Sequence, residues 1–287
     1  GEIDPFAGMA NLLGDLCECF PAAFSAAPDD PLPNVPAFHH AFAGLVMLAD
    51  WIASDVEVFP FSTDLDAGTR RRFAERRAHE LAERAGIDPR PARRGLGPDR
   101  PTFSAVSSHS PRPMQERVAS LPVSRPGSLV VVEAETGSGK TEAALSHYLN
   151  LFHAGEVDGL YFALPTRTAA TQLHARIAAI VARAFPELAT RPSVVLAVPG
   201  YLRVDEVEGT RLSPFEVLWN DDARERSRHR YWAAEQPKRY LAGAIVVGTV
   251  DQVLLSTLMV PHAHLRAAAL LRHLLVVDEV HASDAYM

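Results

Sequence analysis

The chain has 287 residues, 47% apolar and 22% charged, with a formal net charge of −7. This composition is typical of a globular domain and excludes an intrinsically disordered chain. No apolar run is long enough to span a membrane, so we expect no membrane partner. Residues 1–4 show no secretory signal, and the two cysteines, Cys17 and Cys19, suit a reducing compartment, so we expect a cytoplasmic protein. The absence of an initiator Met leads us to expect a fragment.

Two helices are predicted in the first part of the chain, over residues 37–54 and 67–85. In the first, apolar residues recur every three to four positions. Gly86 suits the end of the second, and its arginines alternate with glutamates as on a solvated helix face. A proline-rich stretch from Pro89 to Pro113 then predicts a linker.

Beyond this stretch, short apolar runs alternate with longer helical patterns. This alternation predicts an α/β domain with a doubly wound parallel sheet. The runs predicted as buried strands are Leu129–Val132, Leu160–Ala163, Val194–Ala197, Ala244–Val247 and Leu274–Val277. The predicted helices cover residues 140–153, 167–184, 251–258 and 262–271. Residues 199–242 fit the pattern poorly and are interpreted as an insertion.

The segment from Ala134 to Thr141 has the form of a phosphate-binding loop between a predicted strand and a predicted helix. Ala134 replaces the first glycine of the strict pattern. The remaining glycines let backbone N–H groups turn towards phosphates, and the helix N-terminus adds partial positive charge. Lys140 is predicted to contact the β- and γ-phosphates and the Thr141 hydroxyl to ligate Mg²⁺. The candidate ATP-binding residues of the loop are Thr136, Gly137, Ser138, Gly139, Lys140 and Thr141.

A second acidic motif, Asp278-Glu279, follows the last predicted strand. Ligands of α/β sheets bind at the carboxyl ends of the strands. We therefore predict that Asp278 holds the Mg²⁺ of ATP and that Glu279 polarises the attacking water. His281 is a candidate for coupling the nucleotide state to a partner domain. Together with Lys140, these carboxylates predict ATP hydrolysis, with ATP and Mg²⁺ as cofactors.

Further motifs resemble those of superfamily 2 helicases. Asp278–His281 matches a DExH box, and residues 110–115 resemble a Q motif, in which Gln115 would contact adenine. Residues 163–167 and 247–252 resemble the motifs that hold the nucleic-acid backbone in these helicases. The resemblance implies nucleic-acid contacts for Pro165, Thr166, Arg167, Thr249, Asp251 and Gln252. The alternative for these residues is ordinary helix capping by Thr and Asp.

The amino-acid sequences of these motifs resemble those of one family in particular, the CRISPR-associated helicase-nuclease of type I systems. The segment 44–61 adds to the resemblance, which covers about 240 residues. It implies a RecA-like P-loop NTPase domain at residues 111–287, preceded by the all-α C-terminal part of an HD-type nuclease domain at 1–88 and a linker at 89–110. It also implies single-stranded DNA and a crRNA-guided surveillance complex (Cascade) as partners.

In that family the HD nuclease uses a divalent transition metal or Mg²⁺ bound by His and Asp. The resemblance matches only Asp50 to one of these ligands, and the earlier ligand motifs have no counterpart in this chain. We therefore expect no functional nuclease metal site in the chain itself. The alternative for Asp50 is a polar residue that caps or pairs locally. His39 and His40 do not match the ligand positions and are interpreted as surface or packing residues.

Two alternative functions remain open from the sequence. The chain could come from another DExH helicase that acts on RNA, an alternative that the segment before the motor disfavours. In isolation it could also be only a nucleotide- and strand-binding module. Stimulation of ATP hydrolysis by DNA or by RNA discriminates among these functions.

Overall fold

The structure is a computed structural model that describes residues 4–25, 32–61, 66–122, 127–213, 216–221 and 228–280. Its α-helices are α1 Pro5–Cys19, α2 Pro21–Phe24, α3 Pro36–Ala53, α4 Ala67–Arg84, α5 Arg90–Gly95, α6 Pro113–Ala119, α7 Lys140–His153, α8 Arg167–Ala184, α9 Val250–Leu254 and α10 Ala263–Leu270. The strands are β1 Gly159–Leu164, β2 Val194–Ala197, β3 Arg203–Val204, β4 Val207–Ser213, β5 Glu216–Trp219, β6 Ile245–Thr249 and β7 His273–Val277. Short 3₁₀ helices cover Phe103–Ala105, Arg228–Tyr231 and Pro237–Ala242. Within these ranges no helix combines the length and apolar character needed to cross a membrane.

The strands form one sheet in the order β5-β4-β3-β2-β6-β1-β7. The four strands from β2 to β7 in this order are parallel to one another. Their register aligns Leu164 with Thr249 and Ala197 with Gly248, so the carboxyl ends of β1, β2 and β6 meet at one edge. The prediction of a doubly wound parallel sheet is confirmed, because helices cover both of its faces.

Successive residues of the parallel strands point to opposite faces, and both faces are apolar. In β1, Leu160 and Phe162 pack with α7 and α8, whereas Tyr161 and Ala163 pack on the opposite layer. This second layer includes residues 231–234 and the 3₁₀ helix Pro237–Ala242. All six residues of β1 are buried, which explains why the strand is a continuous apolar run in the sequence.

The segment interpreted as an insertion, residues 199–242, extends the sheet by three antiparallel strands. β3 pairs with β2, β4 with β3 and β5 with β4. Trp219 of β5 stacks on Tyr231, with 4.3 Å between the ring centroids. The segment therefore builds one side of the sheet and also contributes to the layer on one of its faces.

One predicted strand is wrong. Residues 129–132 form no strand in the structure, and the side chains of Leu129 and Val131 are 91% and 76% exposed. An apolar run indicates a tendency towards burial, but a strand also needs a neighbour for its backbone hydrogen bonds. None of the described strands pairs with this run. The phosphate loop that follows residues 129–132 nevertheless forms.

The predicted linker, residues 89–110, packs against the α/β domain. Ala92 and Val106 are buried in the core that contains α7 and α8. Arg93 donates hydrogen bonds to the carbonyl oxygens of Phe152 (2.9 Å) and Val157 (2.7 Å), and it also pairs with Asp158. The division of the chain into domains stays a prediction, but these contacts hold this segment to the α/β layer.

Helix α3 docks on α10 through a glycine. A Cβ atom built at Gly44 would lie 2.0 Å from the carbonyl oxygen of His264 and 2.6 Å from the Cβ of Ala268. The His40 and His264 rings also meet, with centroids 4.0 Å apart, so His40 is a packing residue. Leu48 and Ile52 of α3 pack against the second core layer. The crossing of the two helices therefore requires glycine, which has no side chain, at position 44.

This crossing predicts opposite effects for two glycines inside helices. Gly44→Ala should lower the free energy of unfolding by about 1–3 kcal/mol, because the added methyl overpacks a backbone contact. Gly14→Ala in α1 is the matched control, since a Cβ atom added there would meet no other atom within 4 Å. It should raise stability by up to about 1 kcal/mol through helix propensity. Urea denaturation measures both, and equal stabilisation by the two substitutions would refute the packing argument.

Candidate nucleotide site and strand-end surface

The phosphate loop adopts the backbone conformation that its glycines allow. Gly137 and Gly139 have φ values of 78° and 89°, in the left-handed region that glycine enters without steric cost. Gly139 is the N-cap of α7, and Lys140 is the first residue of this helix. The Ser138 N–H donates to the Glu135 carbonyl oxygen at 3.2 Å. The loop thus turns sharply into a helix N-terminus that favours anions.

Gln115 packs directly against this loop. Its Nε2 donates to the Gly139 carbonyl oxygen at 3.0 Å, and its Oε1 accepts from the Arg112 N–H at 2.8 Å. A Cβ atom at Gly139 would lie 2.2 Å from Nε2 of Gln115, so position 139 requires glycine for close approach as well as for its φ. Because both ends of the Gln115 amide are engaged, a contact with adenine would require it to exchange one of these bonds.

Lys140 is bonded within the loop itself. Its Nζ donates to the carbonyl oxygens of Ala134 (3.0 Å) and Glu135 (3.3 Å). These neutral acceptors hold the ammonium group at the loop, where a phosphate oxygen would be a stronger, charged acceptor. Thr141 follows on the first turn of α7 and is 8% exposed.

Asp278 and Glu279 extend the edge strand β7 at its carboxyl end. The Asp278 N–H donates to the Ala163 carbonyl oxygen at 3.0 Å, which continues the β1–β7 ladder by one residue. The Glu279 N–H donates to Oδ1 of Asp278 at 3.0 Å. Glu279 has φ 56°, a left-handed conformation that costs a non-glycine residue about 1–2 kcal/mol. Such strained residues cluster at functional sites.

A cleft of about 450 Å³ brings the phosphate loop and these carboxylates together. Asp278 follows Thr141 by 137 residues in the sequence. The predicted site residues that line the cleft are Gln115, Thr136, Gly137, Gly139, Lys140, Thr141, Asp278 and Glu279. Ser138 does not line it, and its buried hydroxyl has no hydrogen-bond partner among the described residues.

Two arginines of the cleft were missed as site residues in the sequence. Arg112 donates to the Gly137 carbonyl oxygen at 3.1 Å. Arg176 of α8 lines the cleft and forms an ion pair with Glu142 of α7. Arg112 lies in the segment that resembles a Q motif, which offered a signal. Arg176 lies in a segment whose sequence predicts a helix and gives no sign of a site. Only the packing of α8 beside α7 brings it to the cleft.

The predicted nucleic-acid residues lie around the carboxyl ends of β1 and β6. The Thr166 hydroxyl accepts a hydrogen bond from the Ala169 N–H at 3.2 Å and so caps α8, as the capping alternative predicted. Thr249 is the N-cap residue of α9, but its side chain makes no capping bond. Burial raises the pKa of Tyr161, and its protonated hydroxyl donates to the Thr249 carbonyl oxygen at 2.9 Å.

The other predicted residues of this surface differ in exposure. Arg167 and Asp251 are exposed, Pro165 is half-buried, and Gln252 is buried. Arg167 donates a hydrogen bond to the Pro199 carbonyl oxygen. Thus Arg167, which follows β1, reaches the turn after β2 at the same edge of the sheet. Residues from three neighbouring strand ends therefore form one surface.

Asp50 is exposed on α3 and does not line the cleft. Within the described ranges, no group of three or more His, Cys, Asp or Glu residues could hold a metal ion. The described residues therefore do not by themselves fit a nuclease metal centre. His281, the predicted coupling residue, lies outside the described residues.

Family models match both parts of the chain. The model described as DEAD/DEAH box helicase matches residues 112–286, and the model described as Cas3, HD domain matches residues 6–59. The first match contains the phosphate loop and the acidic motif, and the second contains Asp50.

Characterised relatives and solved structures agree with these models. The CRISPR-associated endonuclease/helicase Cas3 of Escherichia coli strain K12 is 32% identical over 85% of this chain and 27% of its own length. The protein of the same name from Thermus thermophilus is 34% identical over 84% of this chain and 26% of its own. The crystal structure of T. fusca Cas3-ATP has a TM-score of 0.67 at 25% identity, covering 100% of this chain and 32% of that one. The chain thus spans about a quarter of the length of the curated relatives.

The geometry of the loop predicts the effect of removing its lysine. Lys140→Ala should raise the dissociation constant for ATP by at least about tenfold, because a charge-assisted hydrogen bond to phosphate is worth about 1.5–3 kcal/mol. The domain should stay folded, since the hydrogen bonds that the Lys140 side chain makes to described residues go to two loop carbonyl oxygens. Titration with a fluorescent ATP analogue measures the affinity. Lys238→Ala, which removes the chain's other lysine outside the cleft, is the control. Unchanged affinity in Lys140→Ala would remove the phosphate-loop assignment.

Proposed function

The chain belongs to the DEAD/DEAH box helicase family, and from this premise we propose that it carries the first ATP-binding motor domain of a DNA helicase or translocase. One observation supports this most strongly. The phosphate loop and the Asp278-Glu279 pair, which are far apart in the sequence, line the same cleft. A nucleotide bound at the loop would place its phosphates between a helix N-terminus and a pair of carboxylates.

Binding of ATP would begin with an exchange at Lys140. Its Nζ would leave the carbonyl oxygens of Ala134 and Glu135 for the β- and γ-phosphates, whose negative charge makes them stronger acceptors. The N–H groups of the loop and the dipole of α7 would add to this attraction. The left-handed conformations of Gly137 and Gly139 already turn the loop into the helix N-terminus, so binding would require little further ordering.

The donor set of the cleft fits the Mg²⁺ that accompanies ATP. The Thr141 hydroxyl and the Asp278 carboxylate are hard oxygen ligands of the kind that Mg²⁺ prefers, and both line the cleft. When bound, the ion would neutralise negative charge on the phosphates. Glu279 would orient the attacking water and accept its proton. The hydrogen bond from its N–H to Oδ1 of Asp278 ties the Glu279 backbone to the strand end.

The nucleic acid would lie across the strand-end surface formed by residues 165–167 and 249–252. The N-termini of α8 and α9 and the Arg167 guanidinium suit phosphate groups and carry no base recognition. A translocating motor must bind single-stranded DNA of any sequence, so it needs contacts to the DNA backbone.

For the whole protein we propose an ATP-dependent helicase coupled to a metal-dependent single-stranded DNA nuclease in CRISPR antiviral defence. The relatives named endonuclease/helicase and the match of residues 6–59 to an HD domain support this proposal. The crRNA-guided surveillance complex would be the partner that delivers the DNA, in the cytoplasm. Asp50 would contribute one ligand to the nuclease metal, together with His and Asp residues of the full-length HD domain.

The motor proposal is tested by ATP hydrolysis in the full-length protein. We expect hydrolysis to depend on single-stranded DNA and to respond less to RNA of the same length. Glu279→Gln should retain ATP binding and lower the hydrolysis rate by at least about 100-fold, as expected for loss of a general base. Glu206→Gln, a substitution at an exposed turn residue, is the control. Wild-type hydrolysis by Glu279→Gln, or indifference of the wild type to DNA, would contradict the proposal.

The nuclease proposal is tested separately at Asp50. In the full-length protein, Asp50→Asn should abolish metal-dependent cleavage of single-stranded DNA while leaving ATP hydrolysis unchanged, because Asp50 lies outside the nucleotide cleft. Asp15→Asn, at another exposed aspartate in the segment matched to the HD model, should cleave normally. Gel analysis of a labelled strand gives the readout. Normal cleavage by Asp50→Asn would remove this residue from the metal site.

A further inference from the structure

A tight turn follows β2 and presents a tyrosine at the carboxyl edge of the sheet. The Tyr201 N–H donates to the Val198 carbonyl oxygen at 3.0 Å. Pro199 and Gly200 occupy the two central positions, and Gly200 has φ 92°. Proline followed by a glycine with positive φ is the signature of a type II turn. The turn therefore sets the position of Tyr201 through its backbone and not through burial of the ring.

Tyr201 differs in exposure from the other tyrosines that the structure describes. It is 51% exposed, whereas Tyr148, Tyr161, Tyr231 and Tyr240 are each at most 2% exposed. The Arg167 guanidinium carbon lies 5.9 Å from its ring centroid, and Arg167 also donates to the Pro199 carbonyl oxygen of the same turn. One arginine thus joins the turn and the ring, and about half of the ring surface stays open to a ligand.

The register of the sheet places this ring on the strand-end surface. Ala197 of β2 is paired with Gly248, and Thr249 is paired with Leu164 of β1. The turn after β2, the start of α9 and the start of α8 therefore lie side by side. Gln252 of α9 is 6% exposed, and its Oε1 has no hydrogen-bond partner among the described residues. A buried amide oxygen without a partner indicates a place where a donor is missing.

We propose that Tyr201 is a base-stacking residue for single-stranded DNA and that Arg167 holds the adjacent phosphate. This inference rests on the proposed function and adds to it a contact with the bases. An aromatic ring stacks on any base, because every base has a π-face, so the contact adds affinity without sequence preference. The guanidinium beside the ring has donors to spare for a phosphate oxygen after its bond to Pro199.

The test compares two strands that carry the same phosphates. Fluorescence anisotropy measures binding of this chain to labelled oligothymidine and to a strand of equal length with abasic sites, at low salt because phosphate contacts weaken with salt. The wild type should bind oligothymidine more tightly. Tyr201→Ala should lose about 5- to 100-fold in affinity for oligothymidine, the loss of one stacked base. It should also bind the two strands alike.

Two further variants separate stacking from other roles. Tyr201→Phe keeps the ring and should bind oligothymidine as the wild type does. Leu218→Ala removes a side chain on β5 whose exposure, 55%, is similar to that of Tyr201. It should change neither the affinity for oligothymidine nor the affinity for the abasic strand. Binding of the fluorescent ATP analogue, together with the circular dichroism spectrum, confirms that each variant is folded.

The outcomes distinguish this inference from the proposed function. If the wild type binds oligothymidine but Tyr201→Ala keeps its affinity or its preference over the abasic strand, the stacking role is wrong and the motor proposal stands. If Tyr201→Phe loses as much as Tyr201→Ala, the hydroxyl and not the ring makes the contact, which also overturns the inference. If the wild type binds neither strand, the DNA contact in the proposed function fails and the stacking role fails with it.

Discussion

The parallel pairing of β2, β6, β1 and β7 is the constraint on which the rest of the structure depends. Parallel strands must be joined by crossovers, and the crossovers here place α8 on one face and α10 on the other. The helices α7 and α3, which precede β1 in the chain, pack on the same two faces. Since all four strands run in one direction, their carboxyl ends share one edge. Most of the candidate functional residues that the structure describes lie in the phosphate loop or at one of these strand ends. The exceptions are Arg112 and Gln115 at the start of α6, Arg176 within α8 and Asp50 on α3.

The candidate site depends on unusual backbone conformations in the phosphate loop and at the end of β7. Gly137 and Gly139 turn the phosphate loop into α7, while Glu279 is kept in a conformation that a non-glycine residue avoids. Gln115 and Arg112, from the N-terminal end of α6, brace the loop from outside the sheet. The cleft is therefore shaped by contacts between segments, although each motif in it is local.

Helix α3 belongs to the segment matched to an HD domain and packs against the α/β part of the chain. It contacts α10 at Gly44, and its apolar residues Leu48 and Ile52 complete the layer over the sheet. Trp51, next to Asp50, lies with its ring centroid 5.0 Å from the Arg239 guanidinium and 5.4 Å from the His262 ring. The position and orientation of the helix that bears Asp50 are thus determined by packing against the α/β layers.

The sequence by itself determined the local features: the alternation of strands and helices, the bounds of α7 and α8, the phosphate loop and the acidic motif, all of which depend on neighbours in the chain. The tertiary structure decided what depends on partners distant in the sequence. It left residues 129–132 without a strand, engaged Gln115 with Gly139, brought Arg176 to the cleft and Gly44 to α10, and placed the exposed Tyr201 beside Arg167. The physical reason is that hydrophobic periodicity and motif spacing report which face of an element is buried, whereas the partner on that face is set by packing across the sheet.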